Sequence, residues 1–184
     1  MSEFLASDQH FRHFLAAVIL LGRVGDLAST WYATPTLHLE ANPLVRRFRW
    51  RLGLLSLLLA LVPYYNTSLG MVVAVPSLLV TAGNLGRGWL MRALGEAEYW
   101  ALLLRAARQH SRRAAMASAL GAAAFFALAA GLLRLLSSPD EWGYWFADGM
   151  LLYTAAVLVH GTAFLRRLYR EAAGAEVAEV AGRG

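Results

Sequence analysis

The sequence predicts an all-α, polytopic membrane helix bundle with about five transmembrane helices. Three observations carry this. Apolar residues make up 58% of the chain and charged ones only 16%, and the mean hydropathy is positive. Several uninterrupted apolar runs also approach the roughly 20 residues a helix needs to cross about 30 Å of hydrocarbon. One transmembrane domain over residues 1–170 is expected, followed by a small, acidic, Gly-containing tail over 171–184, which reads as flexible.

Five spans are expected in order: 11–31, 50–65, 69–90, 114–136 and 144–165. The first begins like a signal-peptide core. Ser2 to Arg12 is not strongly basic, however, and no small-residue cleavage site follows, so the segment is expected to be retained. The second has a short apolar core ending at Pro63, and its start is open between Trp50 and Pro43; in the longer version Arg46, Arg47, Arg49 and Arg51 reach headgroups by snorkelling. YYNTSLG carries no charge and reads as the tight turn of a hairpin between spans two and three. The segment 96–112 alternates Glu98, Arg105, Arg108 and Arg112 against Trp100, Leu103 and Leu104 at helical spacing. It is predicted as an amphipathic helix either lying at the inner membrane surface or extending span four, its basic face towards anionic lipid.

Orientation follows from the arginines, because short cytoplasmic loops are enriched in them. All 17 basic residues are arginine, which rules out a lysine Schiff base or lysine general base. Arg46 to Arg51 follow span one, Arg87 to Arg113 lie between spans three and four, and Arg166, Arg167 and Arg170 follow span five. The opposite connections are the uncharged hairpin turn and the acidic SSPDEWGYW. The N-terminus is therefore expected outside and the C-terminus inside. The six tryptophans fall near span ends or in loops, as interfacial residues do. The pI near 10.1 is explained by this topology, and no nucleic-acid partner is expected. With no cysteine, disulfides, thiolate metal sites and thiol nucleophiles are excluded. No G-x-S-x-G occurs, which argues against a serine hydrolase.

Within this frame the stretch GDLASTWYATPTLHLEANPLVRR (25–47) is unusual, because it concentrates polar groups at the inner end of span one. Arg23, Asp26, Ser29 and Thr30 share one helix face through i, i+3 and i+4 spacing. Counting along the spans places Asn84, His160 and Thr162 at a similar depth, with His38, Glu40 and Asn42 in the connection that follows. An ionisable residue inside a membrane is a functional candidate by default, since leaving it unpaired in hydrocarbon costs several kcal/mol. The candidate ligand-binding residues are therefore Asp26, Thr30, Glu40, Asn42, Asn84 and Arg23.

The pattern Asp26-x3-Thr30, then Glu40-x-Asn42-Pro43 opening the next helix, resembles a family of small bacterial and archaeal multi-pass membrane proteins classed as a domain of unknown function. The resemblance covers the first half of the chain, through Asn84 in GNLGRG. It marks Asp26, Thr30, Glu40, Asn42 and Pro43 as signature positions, and the chain is expected in a bacterial or archaeal cytoplasmic (inner) membrane. It implies no reaction.

Each candidate also has a plainer reading. Asn42 can cap a helix whose first residue is Pro43. Asp26 can pair with Arg23 one turn away, His160 can be a satisfied interior hydrogen-bonder, and Glu40 can lie in cytoplasmic water. Asp26, His38, Glu40 and His160 together offer the N and O donors of a divalent zinc, manganese or iron site, although H-E-x-x-H spacing is absent. In that reading the metal activates water, Glu40 or Asp26 is the base, and Asn84 and Arg23 stabilise an oxyanion. The glycines of GNLGRG are expected to allow close helix packing, and the small residues of 114–136 to offer a face for self-association or a membrane-complex partner. Three functions stay open: an ion- or ligand-binding protein such as a transporter or channel component, a membrane enzyme acting on a lipid or amphiphile, and a structural or accessory subunit.

Overall fold

The computed structural model describes residues 2–40 and 42–181, with side chains for 8–40, 42 and 44–175. All elements are helical: α1 (Ser2–Ala33), α2 (Pro43–Phe48), α3 (Trp50–Leu55), a 3-10 helix (Ser56–Leu61), α4 (Val62–Tyr65), α5 (Thr67–Leu94), α6 (Glu96–Gln109), α7 (Arg112–Leu136) and α8 (Trp142–Ala181). Among the described residues, four helical stretches are long and apolar enough to cross a membrane: Asp8–Ala33, Thr67–Leu94, Arg112–Leu136 and Trp142–Ala175. Much of their apolar surface faces outward, for example Leu21, Phe125 and Leu135. That is the arrangement for helices solvated by lipid, where no hydrophobic force draws leucines inward.

The expected second span is a correction to the sequence reading. Trp50–Tyr65 falls short of the length of the other four and is wound as α3, the 3-10 helix and α4 rather than as one α-helix. A 3-10 turn rises about 2.0 Å per residue against about 1.5 Å, so the segment still extends about 27 Å. It runs antiparallel to α1. Gly53 lies against Leu27 at one end, and the Tyr64 hydroxyl meets His13 Nδ1 at 2.8 Å at the other. The chain thus returns to the level of His13, in the first half of α1. Asn66 then caps α5 by accepting from the Leu69 N–H at 2.9 Å, which makes the hairpin turn a single residue long.

The predicted tail needs correction as well. Residues 171–181 continue α8, and Ala172 is buried beside Trp100 and Leu168; Gly182 to Gly184 lie outside the described residues. The amphipathic segment is helical over Glu96–Gln109, and Trp100 and Ala107 turn inward against α8. Trp100 packs edge-on to Phe164, and the Arg167 guanidinium covers its ring at 4.6 Å.

Parallel packing of α1 on α5 and of α5 on α8, with α7 antiparallel to α8, forms the bundle. The closest approach of α1 to α5 occurs at Gly22 and Gly25. A Cβ on Gly22 would stand 2.9 Å from the Ser77 carbonyl carbon, and one on Gly25 would stand 2.7 Å from the Thr81 methyl. Gly149 of α8 plays the same part against Val75 and the Val72 carbonyl, which Pro76 leaves without its helical N–H partner. Of the glycines of GNLGRG, Gly88 lies against Ala33 of α1 and Gly83 within reach of Tyr153 of α8, as expected of close packing, but nothing lies within 4 Å of a Cβ on Gly86. Ala123 and Ala130 of α7 are buried, so part of the small-residue face expected to meet a partner is used within the chain. Near the opposite end of α7, Arg134 pairs with Asp148 and donates to the Tyr144 hydroxyl, which joins α7 to α8.

Candidate functional site

Close approach of α1 and α5 brings together polar side chains that would be costly in lipid singly. Arg23 Nε donates to Ser77 Oγ at 3.1 Å, and Arg23 Nη1 lies 3.6 Å from Asp26 Oδ2. The Thr81 hydroxyl donates to the Gly22 carbonyl at 2.6 Å. Asn84 Nδ2 donates to Asp26 Oδ1 at 2.8 Å and lies 3.3 Å from Thr30 Oγ1. Arg23 and Asp26 are largely withdrawn from the surface, with side chains 14% and 24% exposed. The result is a seam of paired groups along one helix interface. At 3.6 Å the ion pair is loose, so the Asn84 bond is the tighter restraint on the carboxylate.

The seam opens into a cavity of about 290 Å³ between α1, α5, α6 and α8. Thr30 and Asn84 form the wall shared with the seam, while Glu40 and Arg87 supply charges of both signs and Leu39 and Phe164 an apolar side. At about 30 Å³ of liquid volume per water, the space suits a small polar molecule or a hydrated ion.

Beside it, a wider and more open cavity of about 640 Å³ lies over the ends of α1 and α5, walled by Pro35, His38, Arg92, Glu96 and Trp100 among others. Ala33 and Met91 line both spaces.

The connection between α1 and α2 is held in place by Glu96. Its carboxylate accepts from the Thr34 hydroxyl at 3.1 Å, the Thr36 N–H at 3.0 Å and the Thr36 hydroxyl. Leu37 turns the chain with a φ of 60°, and Arg167 Nη1 donates to the His38 carbonyl at 2.8 Å. Burial works to raise the Glu96 pKa, but the Thr36 hydroxyl and N–H, the Thr34 hydroxyl and the His38 N–H hold it below the usual 4.5. A depressed carboxylate pKa contributes stability that is present above the ordinary value and lost as pH falls through the lowered one. Amide exchange over 34–40, corrected for its intrinsic pH dependence, is therefore expected to be slow at neutral pH and to rise in acid below about 4.5. Glu96→Gln should raise it at neutral pH. Equal protection in both proteins at both pH values would show that this carboxylate does not anchor the connection.

Of the predicted ligand-binding residues, the structure joins Arg23, Asp26, Thr30 and Asn84 in the seam and sets Glu40 on the adjoining cavity. Asn42 acts as a cap: its Oδ1 accepts from the Leu44 N–H at 2.9 Å, and Glu40 Oε1 accepts from the Asn42 N–H at 2.8 Å. The expected metal set of Asp26, His38, Glu40 and His160 is not assembled, and no group of three or more His, Asp or Glu able to hold a metal occurs among the described residues. His38 sits in the wider cavity, with its ring edge-on to Trp100 at 5.4 Å. His160 Nδ1 is buried with no hydrogen-bond partner among the described residues, so it is not the satisfied interior hydrogen-bonder anticipated. Sequence reasoning missed Glu96 and gave Arg87 no place in the site. It also missed the glycine pair on α1, although Gly22-x-x-Gly25 carries the signal of two small residues on one face.

No family model, curated protein or solved structure matches this chain. The likeness of Asp26-x3-Thr30 and Glu40-x-Asn42-Pro43 to the small multi-pass family rests on those residues alone.

Proposed function

We propose that this membrane-embedded chain binds a small polar or zwitterionic ligand, or an ion, in the cavity where Thr30, Glu40, Asn84 and Arg87 meet, as a transporter or channel component would. On this reading the bundle sits in a bacterial or archaeal inner membrane with the N-terminus outside and the cavity at the cytoplasmic end. The distribution of arginines supports that orientation, and the family likeness supports the location. The carrying observation is that Asn84, which donates to the Asp26 carboxylate, also lines an open space together with Thr30. A purely structural lock has no need of such a space. Carboxylate and guanidinium on one lining favour a ligand bearing both kinds of charge or several hydrogen-bonding groups.

The test is native mass spectrometry of detergent-purified protein incubated with a small-molecule filtrate of cell extract. Wild type is expected to carry a small adduct, to retain it in Arg105→Ala and to lose it in Asn84→Leu, which fills the wall with an apolar group. Spectra without an adduct difference between wild type and Asn84→Leu would sink the proposal.

A further inference from the structure

The wider cavity has a position and chemistry that the polar site does not explain. It lies where two candidate spans end, Asp8–Ala33 and Thr67–Leu94, and so at the hydrocarbon–headgroup boundary of a bilayer that these helices cross. Its lining is largely apolar, with Ala33, Met91 and the Trp100 ring, and with the more exposed Pro35 and Ala97. Arg92 stands at the rim with its guanidinium 5.5 Å from the centroid of the Tyr32 ring, and it has no carboxylate partner among the described residues. The carboxylate in the same space, Glu96, is already held by three donors from Thr34 and Thr36. The His38 ring adds an N–H donor in either neutral tautomer. A guanidinium with no carboxylate partner among the described residues, beside an apolar lining at the membrane surface, matches a phosphate diester whose glyceride portion meets that lining.

We propose that this cavity seats the headgroup of an anionic phospholipid, with Arg92 on the phosphate and the upper glyceride against Ala33, Met91 and Ala97. The site adjoins the polar cavity, with Ala33 and Met91 between the two, and does not depend on the ligand proposed there. Flat interfacial attraction would spread binding over every exposed arginine, including Arg105 and Arg108 on α6. A seated lipid instead depends on Arg92 and on the volume beneath it.

Titration of detergent-solubilised full-length protein with phosphatidylglycerol, read as lipid adducts by native mass spectrometry, separates these cases. Arg92→Ala is expected to weaken the first bound lipid about tenfold, the scale of one lost charge-assisted contact. Arg105→Ala should change it less than about twofold. Ala97→Trp leaves Arg92 intact and fills the cavity from an exposed α6 position, and should weaken binding as much as Arg92→Ala. Inorganic phosphate at the same concentrations should not compete. Circular dichroism and gel filtration of each variant establish that the bundle is intact. Loss in only one of Arg92→Ala and Ala97→Trp, equal loss in Arg105→Ala, or no loss in any variant overturns the seated lipid. Competition by phosphate overturns it in favour of a free-anion site.

Discussion

Asp26→Ala is expected to destabilise the bundle by about 2–3 kcal/mol, measured as the shift in reversible unfolding of the detergent-solubilised protein. The carboxylate is the group on which Arg23, at 3.6 Å, and Asn84, at 2.8 Å, converge. Its removal leaves a guanidinium with Ser77 alone and an amide donor without its closest acceptor. Uncoupling a well-buried pair costs about 3–5 kcal/mol. The partial exposure of both side chains and the looseness of the ion pair place this one lower. Asp26→Asn keeps an oxygen for Asn84 and should lose less. Combining Asp26→Asn with Arg23→Gln should cost less than the two single changes together, since the second no longer strands a charge. An Asp26→Ala protein within about 0.5 kcal/mol of wild type would show that the seam is wetted and contributes little.

Gly22→Ala should cost about 1–3 kcal/mol, whereas the same change at Gly86 should be neutral or stabilise by up to about 1 kcal/mol. The chemistry of the two substitutions is identical and both sites are helical. At Gly22 the new methyl would stand 2.9 Å from the backbone carbon and the Cβ of Ser77, and a backbone cannot swing aside as a side-chain tip can. Helices α1 and α5 must part, and the Asp26–Asn84 bond, about one turn along α1 and two along α5, lengthens with them. At Gly86 nothing lies within 4 Å, so only the helix propensity changes. A Gly22→Ala protein as stable as Gly86→Ala would mean that the α1–α5 contact tolerates separation, and the seam would then not be held by close packing.

Local features were legible in the residues themselves. The apolar runs, the cap at Asn42, the amphipathic helix at Glu96–Gln109 and the Arg23–Asp26 neighbourhood each depend on groups a few positions apart, and the spacing of a helix is regular. Two features were not legible locally. The small, acidic composition after Arg170 suggested a flexible tail, but Ala172 packs against Trp100 and Leu168, and this contact from another part of the chain outweighs composition. Trp50–Tyr65 reads as a short span from its residues, but the partial 3-10 winding that stretches it along α1 does not show in them.

The depth of the site is a different matter from its membership. By itself the sequence determined that Asp26, Asn84 and His160 lie towards the same end of a membrane bundle, because each helical residue advances about 1.5 Å and the arginines set the direction of every span. It did not determine which of them meet. Asn84 faces Asp26 while His160 does not join the cavity lining, and Glu96, distant in sequence, holds the connection that carries Glu40. Only the tertiary structure decided this. A helix solvated by lipid is apolar around most of its surface and shows no hydrophobic stripe to reveal its rotation. Rotation is set by close contacts such as Gly22 on Ser77, between residues far apart in sequence.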